Sequence, residues 1–352
     1  MMKIVVVGDL IVSCELLAEA AKELKPNENI TIKTIYWPAK DRKDFQKKAL
    51  HLETDGPEAE QAPPELYEEI VDAEILLVHF CPVSAGLISK GKKLKLIGTC
   101  RGGMEHVDVS AATKAGIPVI HVIRNAEATS DFAIGLMFAE TRNIARAHTA
   151  LNNGVWRKEY VNSKYTTTFR QMTLGVVGLG HIGKLVAEKA LGIGMTVIAF
   201  DPYISQEMIN DIGLHVKMTD KETLFKTADI ITLHLRLTPE TENSINKTVI
   251  DLMKPTAYLI NTSRARVLSK EDIIDALQNK RIGGAALDVF WEEPIPENDP
   301  LLKLDNVTIT PHNAGNVVDA LPRSPMLLID TIRHFWETGK SDMVVNLKKL
   351  KQ

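Results

Sequence analysis

Short apolar runs alternate with stretches of helical period along almost the whole chain. The runs predict strands over residues 3–7, 31–36, 74–78, 94–98 and 118–121, and then over 173–177, 196–200, 229–233, 257–260, 284–287 and 307–309. Helical segments fall between most of them. This rhythm predicts an α/β fold of parallel sheets with helices on both faces. A helical pattern from about Asn125 to about Leu151 separates the first five strands from the last six, and the main crossover is placed there. The stretch 51–64, with Gly56, Pro57, Pro63 and Pro64 among acidic residues, reads as a surface loop. Thr219-Asp220-Lys221-Glu222 and Ser269-Lys270-Glu271-Asp272 have capping-box spacing at two helix starts, the second with Asp in place of Glu.

Composition adds boundaries to this picture. At 352 residues, two domains are expected. A net charge of −3 supplies no field to recruit nucleic acid or an anionic membrane surface. Charges interrupt the apolar stretches within about ten residues, too soon for a membrane span. The first residues could pass for a signal peptide, but Asp9 and Glu15 break the apolar region and a buried strand explains it better. Three widely spaced cysteines, Cys14, Cys81 and Cys100, suggest reduced thiols in a cytoplasmic protein, with neither a disulfide framework nor a metal site.

The first chemical signal is Gly178-Leu179-Gly180-His181-Ile182-Gly183, a G-x-G-x-x-G between a predicted strand and a helical segment. In that setting Gly178 permits the tight turn, Gly180 lets the backbone approach a pyrophosphate, and Gly183 lets helix and strand pack closely. The helix N-terminus, with His181 and Ile182 at its start, offers N–H groups to phosphates. Asp201 ends the next strand, 201 − 183 = 18 residues past the third glycine, where an acid grips ribose hydroxyls and repels a 2′-phosphate. No arginine follows in Pro202-Tyr203-Ile204-Ser205 to hold such a phosphate. NAD is therefore expected rather than NADP. The motif starts only at residue 178, so an entire α/β unit precedes the nucleotide domain.

Three later segments carry candidate chemistry. Arg264, in Asn261-Thr262-Ser263-Arg264-Ala265-Arg266, follows a strand end, where open α/β sheets bind ligands. A guanidinium there can hold a carboxylate and polarise a carbonyl, and Arg266 is a competing candidate. Asp288-Val289-Phe290-Trp291-Glu292-Glu293-Pro294 and Thr310-Pro311-His312-Asn313-Ala314-Gly315 also follow apolar strands. A His supported by a Glu works as a proton donor and acceptor, which ketone reduction requires.

These motifs, with His234-Leu235-Arg236-Leu237-Thr238-Pro239-Glu240-Thr241 between them, resemble the D-isomer-specific 2-hydroxyacid dehydrogenases, and within them the phosphoglycerate-dehydrogenase-like members. The resemblance runs from about Lys3 to Asp330 and is strongest over 174–315. It implies a flavodoxin-like substrate domain from both chain ends (1–123 with 320–352) and an inserted Rossmann NAD-binding domain (124–319). It implies a catalytic set falling on Arg264, Glu293 and His312; Glu293 is chosen over Glu292 because it directly precedes the proline. Further cofactor contacts are expected at Thr129, His234, Arg236, Thr262 and Asp288. The loop from Thr99 to Asp108 looks like the family's substrate loop, with Arg101, Gly102, Gly103 and Met104 cradling a carboxylate. The segment 148–170 looks like a dimer arm, so a homodimer is expected.

The chain departs from the common pattern at Arg236, Ala265 and Asn313, none of which removes a catalytic group. No residues beyond 352 are present for the regulatory C-terminal domain of longer phosphoglycerate dehydrogenases, so serine feedback through it is not expected. The expected function is NAD-dependent hydride exchange with a small D-2-hydroxy or 2-oxo acid, such as 3-phosphoglycerate, hydroxypyruvate or glyoxylate. Arg101, Arg124, Arg157 and Lys158 are available to bind a substrate phosphate, or are solvated surface charges. The alternative is a non-catalytic, dimeric NAD sensor of the corepressor kind.

Overall fold

The continuous Val, Ile and Leu runs build two all-parallel sheets. The computed structural model describes residues 2–24 and 29–350. The first sheet contains β1 (Met2–Gly8), β2 (Ile30–Tyr36), β3 (Ile75–Val78), β4 (Leu96–Thr99) and β5 (Val119–His121) in the order β2-β1-β3-β4-β5. The second contains β6 (Thr173–Val177), β7 (Thr196–Phe200), β8 (Lys217–Met218), β9 (Ile230–Leu233), β10 (Tyr258–Asn261), β11 (Gly284–Leu287) and β12 (Val307–Ile309). Its order is β12-β11-β10-β9-β6-β7-β8. These are the flavodoxin-like and Rossmann doubly wound patterns, the second extended by one strand.

Side-chain alternation explains why both faces are covered. In β1, Val5 and Val7 enter one core while Ile4 and Val6 enter the other. In β6, Val177 packs on one face, and Leu174 and Val176 pack on the opposite one. The chain divides into a unit of residues 1–124 with 317–352 and a unit of residues 125–316. The C-terminal helix Ala320–Thr338 belongs to the first unit because Leu328, Ile329 and Ile332 bury into its core. An antiparallel bridge between Ile120 and Val344 ties the chain end to β5.

Some local expectations are corrected. The apolar spacing Phe45, Ala49, Leu52, led by an Asp41 cap, carries the helix Arg42–Asp55 into the stretch read as a loop, and Gly56 at φ 85° ends it. The long crossover is two helices, Ala126–Thr141 and Ile144–Asn152, because Asn143 adopts φ 56° between them. Asp220, not Thr219, caps its helix by accepting from the Thr223 N–H. Ser269 makes no side-chain cap bond, and Asp272 accepts instead from the Lys247 N–H. Strand β8 was not anticipated.

Among the described residues, no helix is long and apolar enough to cross a membrane, and no group of three His, Cys, Asp or Glu could hold a metal ion. Cys14, Cys81 and Cys100 are free thiols.

Candidate active site

Apart from Thr129, the candidate site residues of the second unit lie in segments that follow strands of its sheet. After β6 the chain turns through Gly178 at φ 89°, a left-handed conformation that favours glycine. A Cβ there would lie 2.8 Å from the His234 carbonyl oxygen, and one on Gly183 would lie 2.1 Å from the Gly178 carbonyl oxygen. Gly180 differs: a Cβ would meet nothing within 4 Å. Two glycines thus serve the protein's own packing, and the third leaves backbone open on the helix His181–Gly192, which it caps without a side-chain bond.

Asp201 follows β7. Its Oδ2 accepts from the Leu179 N–H at 2.9 Å and its Oδ1 from the Tyr203 N–H at 2.8 Å. The acid therefore fastens the glycine turn while keeping acceptor capacity for hydroxyl donors.

His234 follows β9. Its Nε2 lies 2.9 Å from Thr232 Oγ1, and burial pushes the imidazole down to about 4, so the ring is neutral near pH 7. Arg236 is exposed, and Thr129 is buried on the helix Ala126–Thr141. Thr262 Oγ1 is buried without a hydrogen-bond partner. Such an orphan is uncommon and fits a polar ligand group.

Asn261, fully buried at the end of β10, organises the loop that carries Arg264. Its Oδ1 accepts from the Ser263 N–H and hydroxyl, and its Nδ2 donates to the Arg264 carbonyl at 3.0 Å. Among the described residues, the exposed Arg264 guanidinium donates only to the Ser263 carbonyl, at 2.7 Å. Arg266, the competing candidate, is ion-paired with Glu242.

Glu293 and His312 meet. His312 Nδ1 lies 2.8 Å from Glu293 Oε2, and Glu293 Oε1 accepts from the Phe290 N–H at 3.0 Å. Partial burial works against the charge of Glu293. The His312 and Phe290 hydrogen bonds and the charges of His312 and Arg264 outweigh it, holding the carboxyl below its usual range. The backbone of His312 has φ 52°. Fully buried Asp288 braces that loop, accepting from Thr310 Oγ1 at 2.6 Å and from the N–H groups of Asn313 and Ala314 at 2.9 and 2.8 Å. Sequence reasoning missed these bracing roles of Asn261 and Asp288; only their position at strand ends hinted at them.

In the first unit, the loop after β4 holds Arg101 inward. Its guanidinium pairs with Glu53, lies 3.3 Å from His106 Nδ1 and stacks 3.7 Å from the Phe80 ring centre. Its N–H donates to Thr99 Oγ1. Gly102 is exposed and its carbonyl bonds His121 Nδ1, the Glu105 carboxylate fills the space beside Gly103, and Met104 packs on the first core. Arg157, in the second unit, is paired with Asp305.

Comparison with known proteins agrees with this architecture. Residues 134–314 match the family model "D-isomer specific 2-hydroxyacid dehydrogenase, NAD binding domain". The chain is 37% identical over 291 residues to a D-3-phosphoglycerate dehydrogenase of Methanocaldococcus jannaschii, covering 82% of this chain and 54% of that one. It is 34% identical over 304 residues to a hydroxypyruvate reductase of Thermotoga maritima, covering 85% and 93%. The chain spans about half the length of the phosphoglycerate dehydrogenases it matches. A D-isomer specific 2-hydroxyacid dehydrogenase from Lactobacillus delbrueckii, solved with NAD, shares the fold with a TM-score of 0.67 at 22% identity, covering 98% of this chain and all of that one. The chain belongs to the D-isomer specific 2-hydroxyacid dehydrogenase family.

Proposed function

We propose that the chain is an NAD-dependent dehydrogenase of small D-2-hydroxy acids, acting on 3-phosphoglycerate or on hydroxypyruvate or glyoxylate. The observation that carries this reading is the 2.8 Å His312–Glu293 pair on a loop braced by Asp288, with Arg264 free of any carboxylate partner among the described residues.

The nucleotide domain supplies the fit for NAD. Residues 178–183 would hold the pyrophosphate, Asp201 the adenosine ribose, and Thr129, His234, Arg236, Thr262 and Asp288 would line the remainder. A nicotinamide held there would supply the hydride for reduction at the 2-carbon of the acid and would accept it in oxidation.

Arg264 holds the substrate carboxylate and polarises the carbonyl. Glu293 orients the imidazole through Nδ1, which leaves Nε2 to give its proton to the ketone oxygen. In the reverse direction neutral His312 takes the proton of the hydroxyl at the same atom. Each reduction consumes one proton and one NADH and yields one 2-hydroxy acid and one NAD+.

A homodimer is part of the proposal. Helix Ile144–Asn152 buries no residue, and Ile144, Leu151, Val155 and Trp156 form an exposed apolar run, Trp156 being 77% exposed. Sedimentation tests it: a monomer at micromolar concentration contradicts it. The activity is tested by NADH consumption against glyoxylate, pyruvate, hydroxypyruvate, its 3-phosphate and 2-oxoglutarate. Turnover of one acid supports the reading. Tight NADH binding with no turnover of any acid overturns it.

A further inference from the structure

The first sheet carries a polar network at its carboxyl edge that this function does not use. The strand order reverses direction between β1 and β3, and ligands of open α/β sheets bind outside the carboxyl ends at such a point. Asp9 directly follows β1 and His79 directly follows β3; both are buried. Asp9 Oδ2 lies 2.9 Å from His79 Nδ1, and the carboxylate also accepts from three backbone N–H groups. Burial works against the charge of Asp9, but these donors hold its carboxyl below the usual range. An ionised Asp9 accepts only, so His79 Nδ1 carries the hydrogen and Nε2 is an acceptor.

That Nε2 lies 3.3 Å from NH1 of Arg124, whose other contact is the Cys100 carbonyl at 3.4 Å. Among the described residues no carboxylate pairs with this half-buried guanidinium. Arg101, the neighbouring cation on this edge, is neutralised by Glu53 and Glu105. Arg124 is thus oriented by two neutral acceptors and retains the N–H donors of a bidentate anion clamp. Burial works against the charge of Arg124, the Asp9 charge across His79 offsets this without touching it, and an anionic ligand supplies a direct partner.

We propose that Arg124, aimed by the Asp9–His79 pair, binds a carboxylate or phosphate group of a small acidic ligand.

The test is calorimetric titration of the full chain, saturated with NAD, with inorganic phosphate and separately with succinate. Wild type, Arg124→Gln and Arg124→Lys are compared, each shown to be folded by its thermal transition. Wild type is expected to bind one of the two anions, Arg124→Gln to bind it at least about tenfold more weakly, and Arg124→Lys to recover part of the loss. Whichever anion binds identifies the acidic group. Equal affinity in wild type and Arg124→Gln, or no binding of either anion by wild type, overturns the proposal. This titration needs no turnover, so it fails or succeeds independently of the catalytic reading.

Discussion

Asp288 holds in place the loop on which His312 sits, accepting from the backbone N–H groups of Asn313 and Ala314 just beyond a residue at φ 52°. A non-glycine residue in that region costs about 1–2 kcal/mol, so the loop keeps His312 in a conformation its backbone alone disfavours. His312→Gly relieves this strain while removing the proposed proton carrier. It should lower kcat at least about 100-fold and leave the thermal midpoint within about 3 °C of wild type. Asp288→Asn places an amide donor where an acceptor is needed. It should lower kcat/KM about tenfold or more and also lower the midpoint.

The glycine turn separates binding from packing. Gly180→Ala should leave thermal stability nearly unchanged, since its Cβ meets no protein atom, but weaken NADH binding about tenfold or more. Gly183→Ala should destabilise the fold, because its Cβ would clash with the Gly178 carbonyl. Melting curves and NADH fluorescence titrations distinguish the two; equal NADH affinity in Gly180→Ala and wild type contradicts the cradle.

Three imidazoles, fully buried His79 and His106 and half-buried His234, set the acid side of the stability profile. Burial lowers His79, to which Asp9 is opposed; burial and then the Arg101 and His79 charges lower His106; burial alone brings His234 to about 4. These groups stay neutral in the native state while the unfolded chain takes up protons below about pH 6.5. Their contribution is present above that pH and is lost as pH falls below about 6.5, for His234 down to about 4, by up to about 1.4 kcal/mol per pH unit for each group. Urea midpoints across this range should fall, and His234→Gln should flatten the slope. An unchanged slope contradicts the assignment for His234.

Glu140 anchors its helix to the second sheet. Its buried carboxylate accepts from Arg146 NH2 at 2.7 and 2.8 Å and from Thr308 Oγ1 at 2.6 Å. Glu140→Ala leaves a largely buried guanidinium unpaired and should cost about 3–5 kcal/mol in urea unfolding. Glu140→Gln keeps acceptors for both partners and should cost less.

Strands and the nucleotide turn were legible because their signals are local. Val5, Val6 and Val7 read as a buried strand wherever they fall, and Gly178-Leu179-Gly180 has meaning only between a strand and a helix. The two-residue β8 has too few positions to show a period. The break at Asn143 escaped notice because asparagine is only a weak marker of left-handed backbone, within a sequence of good helical period. The residue types proposed for catalysis stand in motifs that carry the resemblance. Their supports were not legible: Asp288 braces residues 25 and 26 positions away, and Glu140 bonds Thr308 across 168. The inward turn of Arg101 depends on Glu53 and Phe80, which no spacing along the chain brings to it.

The most direct measurement of the central claim compares NADH consumption by wild type and His312→Gln on the best acid of the panel, with NADH affinity measured for both. The account predicts that wild type turns over at least one 2-oxo acid. It also predicts that kcat falls at least about 100-fold in the variant while the NADH dissociation constant stays within about threefold. A variant that keeps most of its kcat would contradict the assignment of His312 as the proton carrier.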